Sequence, residues 1–316
     1  MKQHGSSDFT LVDLFSGCGG MSLGFQRAGF RILAAFDNWK PAVDVYRANF
    51  DHPIHQVDLG VQSARDLVKG LKPHVIAGGP PCQDFSSAGP GEVGSRRAGL
   101  SQAFAQIIKA ARPQYFVLEN VPRIRISPKY PSIVSGFRRL GYGLTEKVLD
   151  ACFCGVPQRR TRLFVIGGLG LEDGFLDALL EIRLASKPLT LRRYLGPTLN
   201  TDYYFRVPTN YKRRGVFSVD EPCATIRAVD RPIPIGYPGH PEDPVPIGPR
   251  VRALTVLERS YVQTFPRSFV FRGTQTDLNT MIGNAVPVKM AQFVASALHE
   301  FMAGKDEKSG SRRTAV

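Results

Sequence analysis

The sequence is poor in cysteine, short of acidic residues, and without a long apolar run. Its five cysteines, Cys18, Cys82, Cys152, Cys154 and Cys223, are odd in number and scattered through 316 residues. That argues against a disulfide framework and fits a reducing cytosol. Cys152 and Cys154 have no second Cys or His pair at zinc spacing, so both read as core or strand residues and no metal is expected. No stretch of eighteen apolar residues occurs, which argues against a transmembrane helix. Met1 to Asp8 is polar and lacks the apolar centre of a secretion signal. Acids number 27 against 41 bases, for a net charge of +14. Such a surface either attracts a polyanion, most commonly nucleic acid, or is a solvated face with no partner.

What is present is ordered along the chain. The first half alternates short apolar runs with helical patterns. Strands are expected at Phe9 to Leu14, Phe30 to Phe36, Ile54 to Val57, His74 to Ala77 and Tyr115 to Leu118. Helices are expected at Met21 to Ala28, Pro41 to Phe50, Ser101 to Ala111 and Pro131 to Leu140. Val148 to Phe153 and Arg162 to Ile166 suit a closing antiparallel pair. Alternation of this kind predicts an α/β fold with a doubly wound, mostly parallel sheet. From Pro188 to Pro249 proline is frequent and helical periodicity fades, which suggests a smaller, irregular, partly β domain. Arg252 to Thr264 reads as helix again, with Leu254, Leu257 and Tyr261 on one face, and Val286 to Met302 as another amphipathic helix. We therefore divide the chain into a large α/β domain at 1–185, a smaller domain and hinge at 186–280, a C-terminal helix at 281–303, and a disordered tail at 304–316.

Two sites follow from the residues. Phe15-Ser16-Gly17-Cys18-Gly19-Gly20 is a glycine-rich turn between the first strand and the first helix, where backbone can approach a nucleotide-type ligand. Asp37, about twenty residues past the glycines, sits where an acid binds ribose hydroxyls. Asp58 follows the third strand and suits an adenine amino group. NAD fits this pattern nearly as well, and a tight turn without ligand is the plainer reading. The second site begins at Gly78-Gly79-Pro80-Pro81-Cys82-Gln83, just past a parallel strand, where such sheets place their chemistry. Glu119 ends the neighbouring strand, and Arg160 and Arg162, spaced i, i+2, point the same way on a strand. A lone cysteine is more often a small buried hydrophobe, but a thiol, a carboxyl and two arginines in one cleft suit nucleophilic chemistry.

These segments, with Arg252 through Thr255, Glu258, Gln263 to Pro266 and Gly283-Asn284-Ala285-Val286-Pro287, occur in an order that resembles the bacterial DNA (cytosine-5)-methyltransferases of restriction–modification systems. The likeness runs from about residue 9 to 300. It implies the methyltransferase fold that uses S-adenosylmethionine, and transfer of a methyl group to C5 of a cytosine flipped out of a specific duplex sequence. Cys82 would attack C6, Glu119 would engage N3, Arg162 would hold O2 and Arg160 would support the pocket. Phe15, Ser16, Gly17, Gly19, Gly20, Asp37, Asn38, Asp58, Asn284 and Ala285 would bind the cofactor. Relatives often carry an aromatic or apolar residue directly after the ribose acid. Here Asn38 stands there, with Trp39 one later, which leaves the adenine-stacking partner open.

The loop from Phe85 to Gly99 would close on the base, with Ser86, Arg96 and Arg97 contacting phosphates, though it lacks the Asp-x-Arg common there. Arg206, Lys212, Arg213, Arg214, Arg227 and the pair Thr225-Ile226 would meet DNA. The resemblance further implies a monomer in the bacterial cytoplasm, no membrane partner, and pairing with a restriction endonuclease. A nucleotide-cofactor oxidoreductase gives Cys82, Glu119 and Arg162 no joint role. The Cys-Phe-Thr segment of tRNA-directed relatives is not found.

Overall fold

The computed structural model describes residues 8–81, 99–208, 212–229 and 231–313. Seven strands form one sheet in the order β3-β2-β1-β4-β5-β7-β6. They are β1 Thr10–Leu14, β2 Arg31–Asp37, β3 Ile54–Gln56, β4 Val75–Gly78, β5 Tyr115–Asn120, β6 Tyr142–Asp150 and β7 Thr161–Leu169. The first five run parallel, and β7 enters antiparallel between β5 and β6. The parallel strands are apolar along most of their length because both faces are covered. The expected α/β, mostly parallel sheet is therefore present. The closing antiparallel pair is longer than expected and lies earlier on its first strand, with Asp150 opposite Thr161 and Tyr142 opposite Leu169. Ala151–Phe153, expected as strand, forms a 3-10 turn whose start Asp150 caps by accepting the Cys152 amide.

Helices α1 Gly20–Arg27, α2 Lys40–Arg47, α3 Gln62–Leu71, α4 Leu100–Ala111 and α5 Tyr130–Arg139 connect the strands. The sequence reading missed α3, where Ala64 and Val68 are its only fully buried residues. A cluster from Val12 through Phe36, Phe104, Phe116 and Phe137 fills one side of the sheet. On the other side, Leu11, Phe25 and Val117 pack against Met290, Val294 and Leu298. Those last three lie on the final helix, which must therefore return from the far end of the chain to complete the first domain's core. Gly24 makes that crossing close: a Cβ there would stand 2.5 Å from the Ala291 Cβ and 2.6 Å from the Val288 carbonyl oxygen.

The rest is less regular. Strands β8 Tyr203–Phe205, β9 Val216–Ser218 and β10 Val251–Ala253 make a three-stranded sheet in the order β10-β8-β9. Helix α6 spans only Val256–Val262, because Arg252 belongs to β10 and Thr255 caps the helix with Glu258 in a reciprocal capping box. Leu257, expected on the apolar face, is exposed, and the buried face is Val256, Arg259, Ser260 and Val262. Helix α7, Gln275–Asn284, was not foreseen, since its apolar content is low. Helix α8 runs Val288–Arg313, so the segment expected as a disordered tail from Gly304 continues as helix. Extending a nucleated helix adds one hydrogen bond per residue fixed, and the charged sequence offers no proline to stop it. No described helix is long and apolar enough to cross a membrane.

Candidate active site

A cleft of about 470 Å³ opens at the carboxyl ends of β1, β2, β4 and β5. The strand order reverses between β1 and β4, and a doubly wound sheet leaves a crevice at such a switch point. Phe15, Ser16, Gly17, Asp37, Asn38, Trp39 and Asp58 line one half. Gly79, Pro80, Pro81, Glu119, Asn120, Arg160 and Arg162 line the other, and Gly283, Asn284 and Ala285 close it. Gly19 and Gly20 are buried behind this wall. Gly19 donates its amide to the Ser16 carbonyl at 2.9 Å, and Gly20 packs against the Val286 backbone.

The turn after β1 is shaped by Asp37. Its Oδ2 accepts the Gly17 amide and its Oδ1 the Trp39 amide, both at 2.8 Å. Burial raises the Asp37 carboxyl above its ordinary value, opposed by those amide bonds. Phe15 holds a positive φ of 56°, a region unfavourable for an aromatic residue, and its ring is presented to the cleft. Asp13 lies under the same wall, fully buried. Its Oδ2 accepts from Ser22 Oγ at 2.5 Å, and Ser22 in turn accepts from the Tyr46 hydroxyl at 2.6 Å. His52 Nε2 lies 2.6 Å beyond. Burial pushes the Asp13 carboxyl up to about 7. Asp13 Oδ1 and Ser16 Oγ are buried without hydrogen-bond partners among the described residues, which leaves two polar atoms at the cleft available to a ligand. Asp13 lies within the expected strand Phe9 to Leu14, and an acid in a mostly apolar strand was its only sequence signal.

In the other half, β4 and β5 pair with Gly78 opposite Leu118, so the next residues, Gly79 and Glu119, are neighbours. A Cβ at Gly79 would lie 2.9 Å from Glu119 Oε2, so glycine makes room for the carboxyl. Asn120 Nδ2 donates to the Pro80 carbonyl at 3.1 Å and fixes the turn that leads toward Cys82. Cys82, Ser86, Arg96 and Arg97 lie outside the described residues. Arg162 Nε stands 2.9 Å from Glu119 Oε1, an ion pair of two largely covered side chains. Its direction is poor for a hydrogen bond, and Oε1 has no hydrogen-bond donor among the described residues. A covered carboxylate oxygen beside a guanidinium, without a donor of its own, is poised for a polar ligand.

Arg160 differs from Arg162, although two residues away. It is 2% exposed and makes no ion pair among the described residues. Nη1 donates to the Ile226 carbonyl at 3.0 Å, and Nη2 to the carbonyls of Gly283 at 3.1 Å and Ala285 at 3.2 Å. Burial lowers its pKa to about 9, with repulsion from Arg162 adding to the effect. It is a clamp between distant segments.

The residues expected at DNA are dispersed. Lys212 and Arg213 are exposed. Arg214 pairs with Glu221 and lies 4.4 Å over the Phe217 ring. Arg227 donates to the Val207 carbonyl. Burial lowers the Arg206 pKa, and nearby Arg227 adds to that. Thr225 Oγ1 donates to the Arg159 carbonyl at 2.6 Å, and Ile226 is buried with its amide on Gln158. In this conformation the pair Thr225-Ile226 is therefore spent on contacts within the protein.

The profile of the C-5 cytosine-specific DNA methylases matches residues 9–176 and 197–300. The Type II methyltransferase M.HindV of Haemophilus influenzae is 54% identical over 292 residues, covering 92% of this chain and 96% of that protein. M.HgiDI of Herpetosiphon aurantiacus, also named a Type II methyltransferase, is 50% identical over 292 residues, covering 92% and 94%. Among solved structures, Dnmt2 of S. pombe superposes with a TM-score of 0.70 at 17% identity, covering 93% of this chain and 99% of that one. A DNA modification methyltransferase from an E. coli prophage gives 0.68 at 22%, with the same coverage. These two share the fold.

Proposed function

The chain belongs to the C-5 cytosine-specific DNA methylase family, as a DNA (cytosine-5)-methyltransferase of the restriction–modification type, and from that premise we propose how its own residues carry out the transfer. The observation that carries the reading is the single cleft that joins the Phe15–Gly17 turn and Asp37 to Glu119 and Arg162. S-adenosylmethionine, bound there, supplies an electrophilic methyl group. Asp37 would take its ribose hydroxyls, Asp58 its adenine edge, and Asn284 with Ala285 its amino-acid end. Unpartnered Asp13 Oδ1 and Ser16 Oγ fit a polar ligand of this kind. Trp39, one residue later than the usual place, lines the cleft with Phe15 and is our choice for the adenine-stacking partner.

In the base half, Cys82 would add to C6 of a flipped cytosine, which makes C5 nucleophilic. Glu119 would donate to N3 through a proton carried on its carboxyl, because N3 of cytosine is an acceptor, and so draw electron density from the ring. Arg162 would hold O2 with a fixed, permanently charged donor set. After methylation, loss of the C5 proton and expulsion of the Cys82 thiolate would release the product. Residues 186–280 would read the duplex, with Lys212, Arg213, Arg206, Arg214, Arg227 and Thr225 as contacts. Ser86, Arg96 and Arg97 would approach phosphates, and Gly19 and Gly20 would support the cofactor turn from behind. The enzyme would act as a monomer on chromosomal DNA in the bacterial cytoplasm and protect it from a cognate endonuclease.

The test is bisulfite sequencing of DNA treated with purified protein and S-adenosylmethionine. We expect protected cytosines at one short recurrent sequence. Full conversion of every cytosine would contradict the assignment.

A further inference from the structure

Four buried polar side chains lie in or behind the cleft wall: Gln158 and Gln263 at 0% exposure, Arg160 at 2% and Arg259 at 4%. Burying so many polar groups costs free energy unless they are satisfied, so their partners identify what they hold. Arg160 Nε is buried without a partner among the described residues. Gln158 Oε1 accepts the Ile226 amide at 2.9 Å, and its Nε2 donates to Gln263 Oε1 at 2.8 Å. Gln263 Nε2 donates to the Ile282 carbonyl at 2.6 Å and the Ala285 carbonyl at 3.1 Å. The polarity of this chain is forced from both ends. A backbone amide can only donate and a carbonyl can only accept, so each glutamine has one satisfactory orientation.

Arg160 runs parallel to it, from the Ile226 carbonyl to those of Gly283 and Ala285. Arg259 ties the Arg227 carbonyl to the Asn279 side chain, on the helix that leads into Ile282. Gly283 presses directly on the backbone of Arg227 and Ala228, where a Cβ would collide. On the far side, Arg159 and Cys223 bond through their backbones at 2.8 Å. One segment, Gly283–Ala285, lines the cleft beside the cofactor half. The other, Cys223–Ala228, belongs to the region that would read DNA.

We propose that Gln158 and Gln263, with Arg160, are positioning residues that couple the cofactor seat at Gly283–Ala285 to the recognition segment at Cys223–Ala228, so that filling the seat tightens DNA binding. The inference rests on the proposed reading of the cleft. A seat ordered by ligand holds the Ile282 and Ala285 carbonyls in place. Those carbonyls fix the Gln263 amide, which fixes Gln158, which holds the Ile226 amide. Linkage makes the effect reciprocal, so DNA tightens cofactor binding by the same factor.

The test uses S-adenosylhomocysteine, the full chain, and a duplex taken from a site shown by bisulfite sequencing to be methylated. In the wild type, saturating S-adenosylhomocysteine should tighten the duplex by about tenfold, within the usual range of such coupling. Gln158→Glu keeps an acceptor for Ile226 but loses the donor to Gln263. Its separate affinities for S-adenosylhomocysteine and for the duplex should stay within about twofold of wild type, while the coupling factor falls toward one. A merely structural role would weaken both affinities and leave the factor intact, and that result would overturn the proposal. So would a wild type that binds both partners independently. If the wild type failed to bind one partner at all, the proposed function would fall instead.

Hydrogen exchange on the wild type needs no variant. S-adenosylhomocysteine alone, without DNA, should slow amide exchange across residues 223–228. Unchanged exchange there, with protection at residues 282–285, would equally overturn the coupling.

Discussion

The two halves of this molecule are built in different ways. Around the seven-stranded sheet, functional side chains are placed by regular backbone: Asp37 ends β2, Glu119 lies near the end of β5, and Arg162 lies near the start of β7. In the region from 186 to 280, three strands of three residues each carry little order by themselves. There the chain is held by side chains that bond to backbone. Asp243 is the clearest case. Its Oδ1 accepts the amides of Gly215 at 3.0 Å and Val216 at 2.9 Å, and its Oδ2 accepts the Tyr237 hydroxyl and the His240 amide, both at 2.9 Å. A scaffold of strands keeps chemistry fixed while a surface built from individual anchors can change its reading without disturbing the sheet.

The contrast is open to test, beginning with the chemical half. Cys82→Ser should lower methyl transfer by more than about 10³-fold while DNA binding persists. A radiolabelled-methyl assay alongside a gel shift reads both, and retained turnover would remove the thiol from the chemistry. Glu119→Gln keeps the shape but removes the charge beside Arg162, and should slow single-turnover transfer by about 10²–10⁴-fold. An unchanged rate would leave Glu119 without a chemical part.

In the reading half, Asp243→Ala strands several donors at once, each costing about 1–3 kcal/mol. We expect DNA affinity to fall by about tenfold with S-adenosylhomocysteine affinity unchanged. Equal losses of both, measured by calorimetry, would erase the distinction between the halves. The smallest expected effect lies under the cofactor wall. The folded state raises the Asp13 carboxyl from its ordinary 3.8 to about 7, so it keeps a proton that the unfolded chain releases. Its stabilising contribution is whole below about pH 4 and is lost as the pH rises through about 7. Asp13→Asn should flatten the fall in thermal midpoint between about pH 4 and 7, by about 2–4 °C. A melt series with the wild-type slope would contradict the buried acid.

The same contrast decides what could be read from the chain alone. Period and punctuation are local, so β1 to β5 and the glycine turn were legible within a residue or two. Glu119 beside Gly79 followed from adjacent parallel strands, because neighbours in such a sheet share their ends. The longer β6–β7 pair was under-read because Gly143, Gly167 and Gly168 break its apolar pattern, although glycine there makes room for Leu171, Phe116 and the backbone near Glu172. Helix α7 and the exposure of Leu257 were misjudged because their burial is set by segments far away in sequence. Arg160 was placed in the pocket, but its partners lie 66, 123 and 125 residues downstream, a distance that no local pattern encodes. The link from Gln158 to Gln263 spans 105 residues and was invisible for the same reason.

The central claim is that Cys82 reaches a flipped cytosine in the cleft that also holds the methyl donor. DNA carrying 5-fluorocytosine at the methylated position tests it most directly, because fluorine at C5 cannot leave as a proton does and the attack stalls after transfer. Incubated with S-adenosylmethionine, the enzyme should appear by denaturing mass spectrometry as a covalent complex with that DNA, with the modified peptide mapping to Cys82. Recovery of only free protein and free DNA, under conditions where ordinary cytosine is methylated, would contradict the account.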